Sequence, residues 1–255
     1  MTSLLLQLVM SLGGQETAPT HLLRLQRQPD THRIYRVEQS AQFGNRSGMT
    51  ISMLFREHIH EVDGDRARVE RRLDQIELAE PGPQNDLVKS LAGISWRGWV
   101  DRRGRWERLV LSRTEDKPKL LQPLLDELQN LPAGGAVVLP EKPVAIGDSW
   151  KIPASDLLKP IRRSAQTTKG QITCTLVSLQ SQVATIRLEL AAELGTAQDQ
   201  RTGKAEGQGQ VVVDLASGFL QRFELQSNMK LNVHVGGRME THLLRSRFQL
   251  IGETR

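Results

Sequence analysis

The chain has 255 residues, 38% hydrophobic and 25% charged, which suits a globular protein with a sizeable core and excludes general disorder. The net charge of +5 allows anionic partners, but the cations alternate with acids along most of the sequence, as on a solvated strand face, and no nucleic-acid partner is expected. Aromatic residues, at 4%, are too scarce for a base-stacking surface, and a single cysteine excludes an internal disulfide and a thiolate zinc cluster.

The chain opens with a short apolar run, Leu4 to Met10, followed by Ser11-Leu12-Gly13, a small-x-small pattern before Gly14. Residues 1–14 read as the remnant of a secretory signal, which points to a periplasmic or otherwise extracytoplasmic protein. No segment is long and apolar enough to predict a transmembrane helix.

A polar linker, 15–20, leads to a first strand over 32–43. After the polar loop 44–48, residues 49–62 and 65–78 form a long hairpin about Asp63-Gly64, a pair that tolerates positive φ. Glu80-Pro81-Gly82-Pro83 ends it, and a short helix is predicted over 85–92. A second hairpin, 95–101 and 105–112, turns at Arg102-Arg103-Gly104, with Trp96 and Trp106 on one face and Trp99 on the other. Residues 118–131 give the clearest helix, because Leu120, Leu121, Leu124, Leu125 and Leu128 recur at helical spacing. An apolar strand is expected over 136–139. The proline-rich stretch beyond it cannot be regular helix, so 136–160 reads as a connector.

The second half is patterned more plainly. Ile172, Cys174 and Leu176 alternate onto one face of a strand, and Ala184, Ile186, Leu188 and Leu190 do so on the next. That period of two marks a half-buried antiparallel sheet. A polar loop is expected over 195–208. Further strands follow, divided by Ala216-Ser217-Gly218 and by Gly236-Gly237, and the last runs over 238–251. The prediction is a mainly β (α+β) fold. Two similar halves, 20–135 and 161–252, each form a long antiparallel β-meander, with one or two short helices packed on the sheet. Such long strands must twist, so the sheet should curl.

The segment Leu139-Pro140-Glu141-Lys142-Pro143-Val144-Ala145-Ile146-Gly147-Asp148-Ser149-Trp150 resembles that of an uncharacterised family of exported bacterial proteins and lipoproteins. Their shared feature is a Pro-x-x-Pro-Val-x-x-Gly-Asp-Ser-Trp segment between two β-rich halves. The stretch Gly207-Gln208-Gly209, Asp214 and Gly218 is similar too, and the resemblance runs from about residue 20. It implies an exported β-rich protein and carries over no catalytic residues. The lipobox cysteine of lipoprotein members is missing here. Physically, Pro143 and Gly147 shape a turn, Asp148 closes it, and Trp150 fills an apolar gap.

Few residues suggest chemistry. His58 and His60 share one strand face and make the best metal-like pair, with Glu57, Glu61, His32 or Asp63 as a conceivable third ligand. Two exposed strand histidines on a polar face are the plainer reading, and no metal or other cofactor is expected. Cys174 falls on the apolar face and reads as a small core residue. No nucleophile elbow, phosphate loop or dinucleotide fingerprint is present. The expectation is therefore a non-enzymatic exported binding or carrier-like protein for an apolar small molecule, by fold analogy with periplasmic lipoprotein carriers. Leu121, Leu124, Leu125 and Leu128 would form the apolar side of a lid. The alternative is a structural or protein-interaction module that holds a partner protein of the cell envelope.

Overall fold

A computed structural model describes residues 19–44, 48–101, 106–112, 138–158, 167–195, 202–235 and 238–254, together with Leu128. The first half contributes β1 (Thr31–Phe43), β2 (Met49–Asp63), β3 (Arg66–Leu78), the helix α1 (Pro83–Lys89), β4 (Ser95–Val100) and β5 (Trp106–Ser112). After the short strand β6 (Ser149–Pro153) and helix α2 (Ala154–Leu158) come β7 (Thr167–Gln180), β8 (Val183–Gly195), β9 (Thr202–Asp214), β10 (Phe219–Val235) and β11 (Arg238–Thr254).

Within β1–β5 and within β6–β11 each strand pairs antiparallel with the next in the chain. The two meanders meet where β1 pairs with β11. The result is one 11-stranded sheet in the order β5-β4-β3-β2-β1-β11-β10-β9-β8-β7-β6. The sheet is curled and unclosed, with β5 and β6 as its two edges.

One face of the sheet is buried throughout. The alternation seen in β7 and β8 recurs in β9 (Val211, Val213), β10 (Phe223, Leu225, Met229) and β11 (Leu244, Phe248, Leu250), and all of these side chains join one apolar cluster. That cluster crosses the join between the halves to take in Tyr35, Val37, Met53, Phe55, Leu73 and Trp96. The other face carries the ion-pair ladders. Asp74, for example, accepts from Arg56 at 2.9 Å and from Arg72 at 3.2 Å, so Arg66, Arg68 and Arg72 of β3 solubilise an exposed surface.

A strap crosses the buried face ahead of β1. His21 and Val144 exchange backbone hydrogen bonds, Arg24 donates to the carbonyls of Pro140 and Glu141, and Gln26 N–H donates to Leu215. The strap thereby ties the Pro143–Trp150 segment to the β9–β10 turn. Within that segment Gly147 has φ of 95°, and the Asp148 carboxylate accepts from Ala145 N–H at 2.8 Å, which closes the turn. The Trp150 indole donates to Val138.

Several expectations change. Residues 202–208, expected as loop, form the first half of β9, since glycines at 207 and 209 let the neighbouring backbone approach closely. Val138 and Leu139, expected as strand, lie in a tight turn and bend, because the Val138 and Pro140 carbonyls bond to Trp150 and Arg24 instead of a strand. Residues 149–153, read as connector, pair with β7 as an edge strand, the one place in a sheet where Pro153 can sit without breaking a ladder. The helix α1 starts at Pro83, two residues early, since proline suits a first helical turn. The segment 1–14, the turn Gly236-Gly237 and the helix 118–131, apart from Leu128, lie outside the described residues.

Gly209 sits between Leu188 and Leu225 in a cross-strand row, and a Cβ there would collide with the Glu224 carbonyl. Replacing it with valine overpacks the sheet, so Gly209→Val should destabilise by about 1–3 kcal/mol, read as a lower urea midpoint with an unchanged slope.

Candidate functional site

Charged residues interrupt the apolar face at one place. In register, Arg33 of β1 lies opposite Glu57 of β2, Glu57 opposite Arg71 of β3, and Arg71 opposite Trp96 of β4. The four form one row on the buried side, and all are at most 4% exposed. Arg71 Nη2 lies 2.8 Å from Glu57 Oε2, and Arg33 Nη1 lies 3.6 Å from Glu57 Oε1. Arg33 also donates through Nη2 to the Ser217 carbonyl in the β9–β10 turn at 2.6 Å. Asp214 shapes that turn, its carboxylate accepting from Ala216 N–H, Ser217 N–H and the Ser217 hydroxyl.

Aromatic rings surround the row. The Arg33 guanidinium lies 5.5 Å from the Phe219 ring centre, and Arg71 lies between Phe55 and Trp106 at 5.9 and 5.7 Å. These are cation–π distances. Phe219 fits because Gly252 leaves room, since a Cβ there would meet its ring. Tyr35 and Phe55 form the next inward row. From the strap, Arg27 joins the group and donates to the Asp101 carbonyl at 2.8 Å.

The electrostatics follow from this arrangement. Burial would raise the Glu57 pKa, but Arg71 and Arg33 outweigh it and hold the carboxylate below its ordinary 4.5. Burial pushes the Tyr35 phenol up, so it stays protonated. Burial, with Arg33 close by, lowers Arg27, which nevertheless remains a cation at physiological pH. Among the described residues Arg33 and Arg71 of the row and Arg27 of the strap set three guanidiniums around the Glu57 carboxylate, and Asp101 also attracts Arg27. Arg27 Nη2, Arg33 Nε, Trp96 Nε1 and Trp106 Nε1 are buried without a hydrogen-bond partner, and every one of them is an N–H donor.

The histidine pair lies on the opposite face. His32, His58, Glu70 and Arg97 form the neighbouring outward row. His32 and His58 stack at 4.0 Å between ring centres, and His60 lies 4.0 Å from His58. His60 contacts Glu70 at 3.3 Å, while the nearest carboxylate to His58 Nε2, that of Asp30, is 3.9 Å away. The His32 and His58 rings stack face to face while His60 is tilted by 56° to His58, and no group of three metal-ligating side chains converges among the described residues. Glu57 cannot serve as a third ligand, because adjacent strand residues face opposite sides of the sheet. Cys174 is fully buried and its thiol is pushed up to about 12 by burial, as suits a core residue. Leu128 is helical and packs in the inner cluster, whereas Leu121, Leu124 and Leu125 lie outside the described residues.

The inward charged row was missed by sequence reasoning. Its signal was present: Glu57 falls between Phe55 and Ile59, and Arg71 between Val69 and Leu73, in the apolar phase of their strands.

No family model matches the sequence, and no curated protein matches it. Among solved structures, lipovitellin, in a study of its lipid–protein interactions, is similar with a TM-score of 0.53 at 11% identity. The match covers 89% of this chain and 25% of lipovitellin, so the chain spans about a quarter of that protein's length. The two share a fold. A LolA-superfamily protein from Nitrosomonas europaea is matched at 9% identity over 88% of this chain and 87% of that one, with a TM-score of 0.21. An S-type phycobiliprotein lyase from Guillardia theta is matched at 8% identity over 87% and 88%, with a TM-score of 0.23. Likenesses at these two scores carry no functional argument. Among the described residues no helix is long and apolar enough to cross a membrane.

Two stability predictions follow from these rows. Glu57→Gln leaves the Arg33 and Arg71 charges buried without their counter-ion and should cost about 3–5 kcal/mol at neutral pH by urea unfolding. Because the folded-state pKa of Glu57 lies below 4.5, the unfolded chain takes up a proton first. Its contribution is full above about pH 4.5 and is lost as the pH falls through the folded value, and the variant should lack this acid-side decline. His58 behaves similarly in a higher window. Burial, then His60 and His32, lower its pKa below 6.5, against weaker pulls from Asp30 and Glu70. Stability should therefore fall as the pH drops below 6.5 towards the lowered value, and His58→Gln should flatten that part of the melting-temperature profile.

Proposed function

We propose that the protein binds an apolar molecule, such as an acyl chain, against the inner face of its curled sheet, as a non-enzymatic exported binding or carrier protein. The observation that carries this reading is the large apolar cluster that runs across both halves of an unclosed sheet. A sheet that buries one face without a second sheet opposite must cover it with helices, with its own curl or with a ligand. Burial of the helical Leu128 in the cluster supports a helix over this face. The fold shared with lipovitellin, described for its lipid–protein interactions, supports an apolar cargo. The strap over 21–27 holds the Pro143–Trp150 segment across the same face and would limit access from that side.

Native mass spectrometry of protein purified from a bacterial periplasm tests the proposal. A bound mass that organic extraction removes is the expected result. A chain that stays free of ligand after incubation with envelope lipids would sink the carrier reading and leave an interaction module in its place.

A further inference from the structure

Resting on the apolar-ligand reading, we infer that the ligand carries an acidic headgroup, and that Arg27 and Arg33, organised by Glu57 and the β9–β10 turn, receive its oxyanion. Three features of the inner face support this. The first is charge. An apolar surface normally excludes cations, yet this one holds Arg27, Arg33 and Arg71 within reach of the Glu57 carboxylate. Even with Asp101 at the rim counted, the cations outnumber the carboxylates among the described residues. A buried guanidinium without full compensation is costly, and an incoming anion relieves that cost.

The second is the chemical sense of the unsatisfied groups. Arg33 is 1% exposed, and its Nε–H has no acceptor. The same holds for one terminal nitrogen of Arg27 and for the indole N–H groups of Trp96 and Trp106. All are donors. A site made only to close the core would tend to match donors with acceptors, because each buried unmade hydrogen bond costs about 1–3 kcal/mol. Surplus donors beside surplus positive charge define a receptor for an oxyanion. Guanidinium is the side chain best shaped to grip a carboxylate or phosphate with two parallel bonds.

The third is placement. The row lies beside the Tyr35–Phe55 row of the apolar cluster, so an acyl chain along the inner face would end at the guanidiniums. The Ser217 carbonyl and the Phe219 ring fix Arg33, while the Asp101 carbonyl holds Arg27 on the strap. Both cations are preorganised, which reduces the ordering cost of binding. Fatty acids and monoacyl phosphates share the required chemistry, an oxyanion on an apolar chain.

Isothermal titration of the full chain at neutral pH with dodecanoic acid, dodecyl phosphate and dodecanol separates the possibilities. The three share one chain and differ in headgroup. At least one anion should bind about 10- to 100-fold more tightly than the alcohol, the range that one or two charge-assisted hydrogen bonds supply. The tighter of the two anions identifies carboxylate or phosphate as the natural headgroup. Arg27→Gln, on the half-buried strap, should narrow the gap between anion and alcohol, as should Arg33→Gln if it folds. Equal affinity of the wild-type protein for all three ligands overturns the headgroup inference and leaves the apolar-ligand reading standing. Failure of all three to bind overturns both.

Discussion

Strand β1 is hydrogen-bonded to the last strand, β11, through eleven paired residues, from Arg33–Thr254 to Phe43–Leu244, each pair more than 200 residues apart in sequence. Without this ladder the protein would be two meanders, each with a bare inner edge and half an apolar face. With it, the inner faces become one surface. The pairing also brings the start of β1 near the β9–β10 turn, where Ser217 receives Arg33. Contacts so distant in sequence must pay loop-closure entropy before they are rewarded, so the join favours slow folding.

One-sided burial explains most of the remaining design. The outward rows carry paired charges, as at Asp74 with Arg56 and Arg72, where water screens them and each pair contributes little. Among the described residues the inward rows carry buried charge only at Arg33, Glu57 and Arg71. There the same residue types have a different energetic meaning, because desolvation of the ions is expensive and hydrophobic residues of similar size would be as stable or more so. A charged row in such a position is better understood through what it can bind than through stability. The glycines of β9 belong to the same geometry, since Gly207 and Gly209 let β9 approach β10 where a Cβ would meet its carbonyls.

Much of the fold was legible from local pattern. Alternation in Ile172-x-Cys174-x-Leu176 fixed both the strand and its inward phase, and Asp63-Gly64 marked its hairpin, with Gly64 at φ of 54°. The errors fell where local chemistry misleads. The glycine-rich start of β9 has loop composition, yet its backbone pairs on both sides. The prolines near β6 discourage strand, but an edge position tolerates them. For the site, His58 and His60 attracted notice because imidazoles ligate metals; in the structure His58 lies in an outward row, stacked on His32.

The sequence by itself determined most of the strands and, in the second half, which side chains face inward, because a period of two and positive-φ turns are properties of neighbouring residues. It also placed Glu57 and Arg71 in the inward phase. Only the tertiary structure decided that Arg33, Glu57, Arg71 and Trp96 stand side by side, that the strap adds Arg27, and that two halves share one sheet. Register between strands depends on pairing partners far apart in the chain, and a slip of one residue would carry every one of these charges to the opposite face.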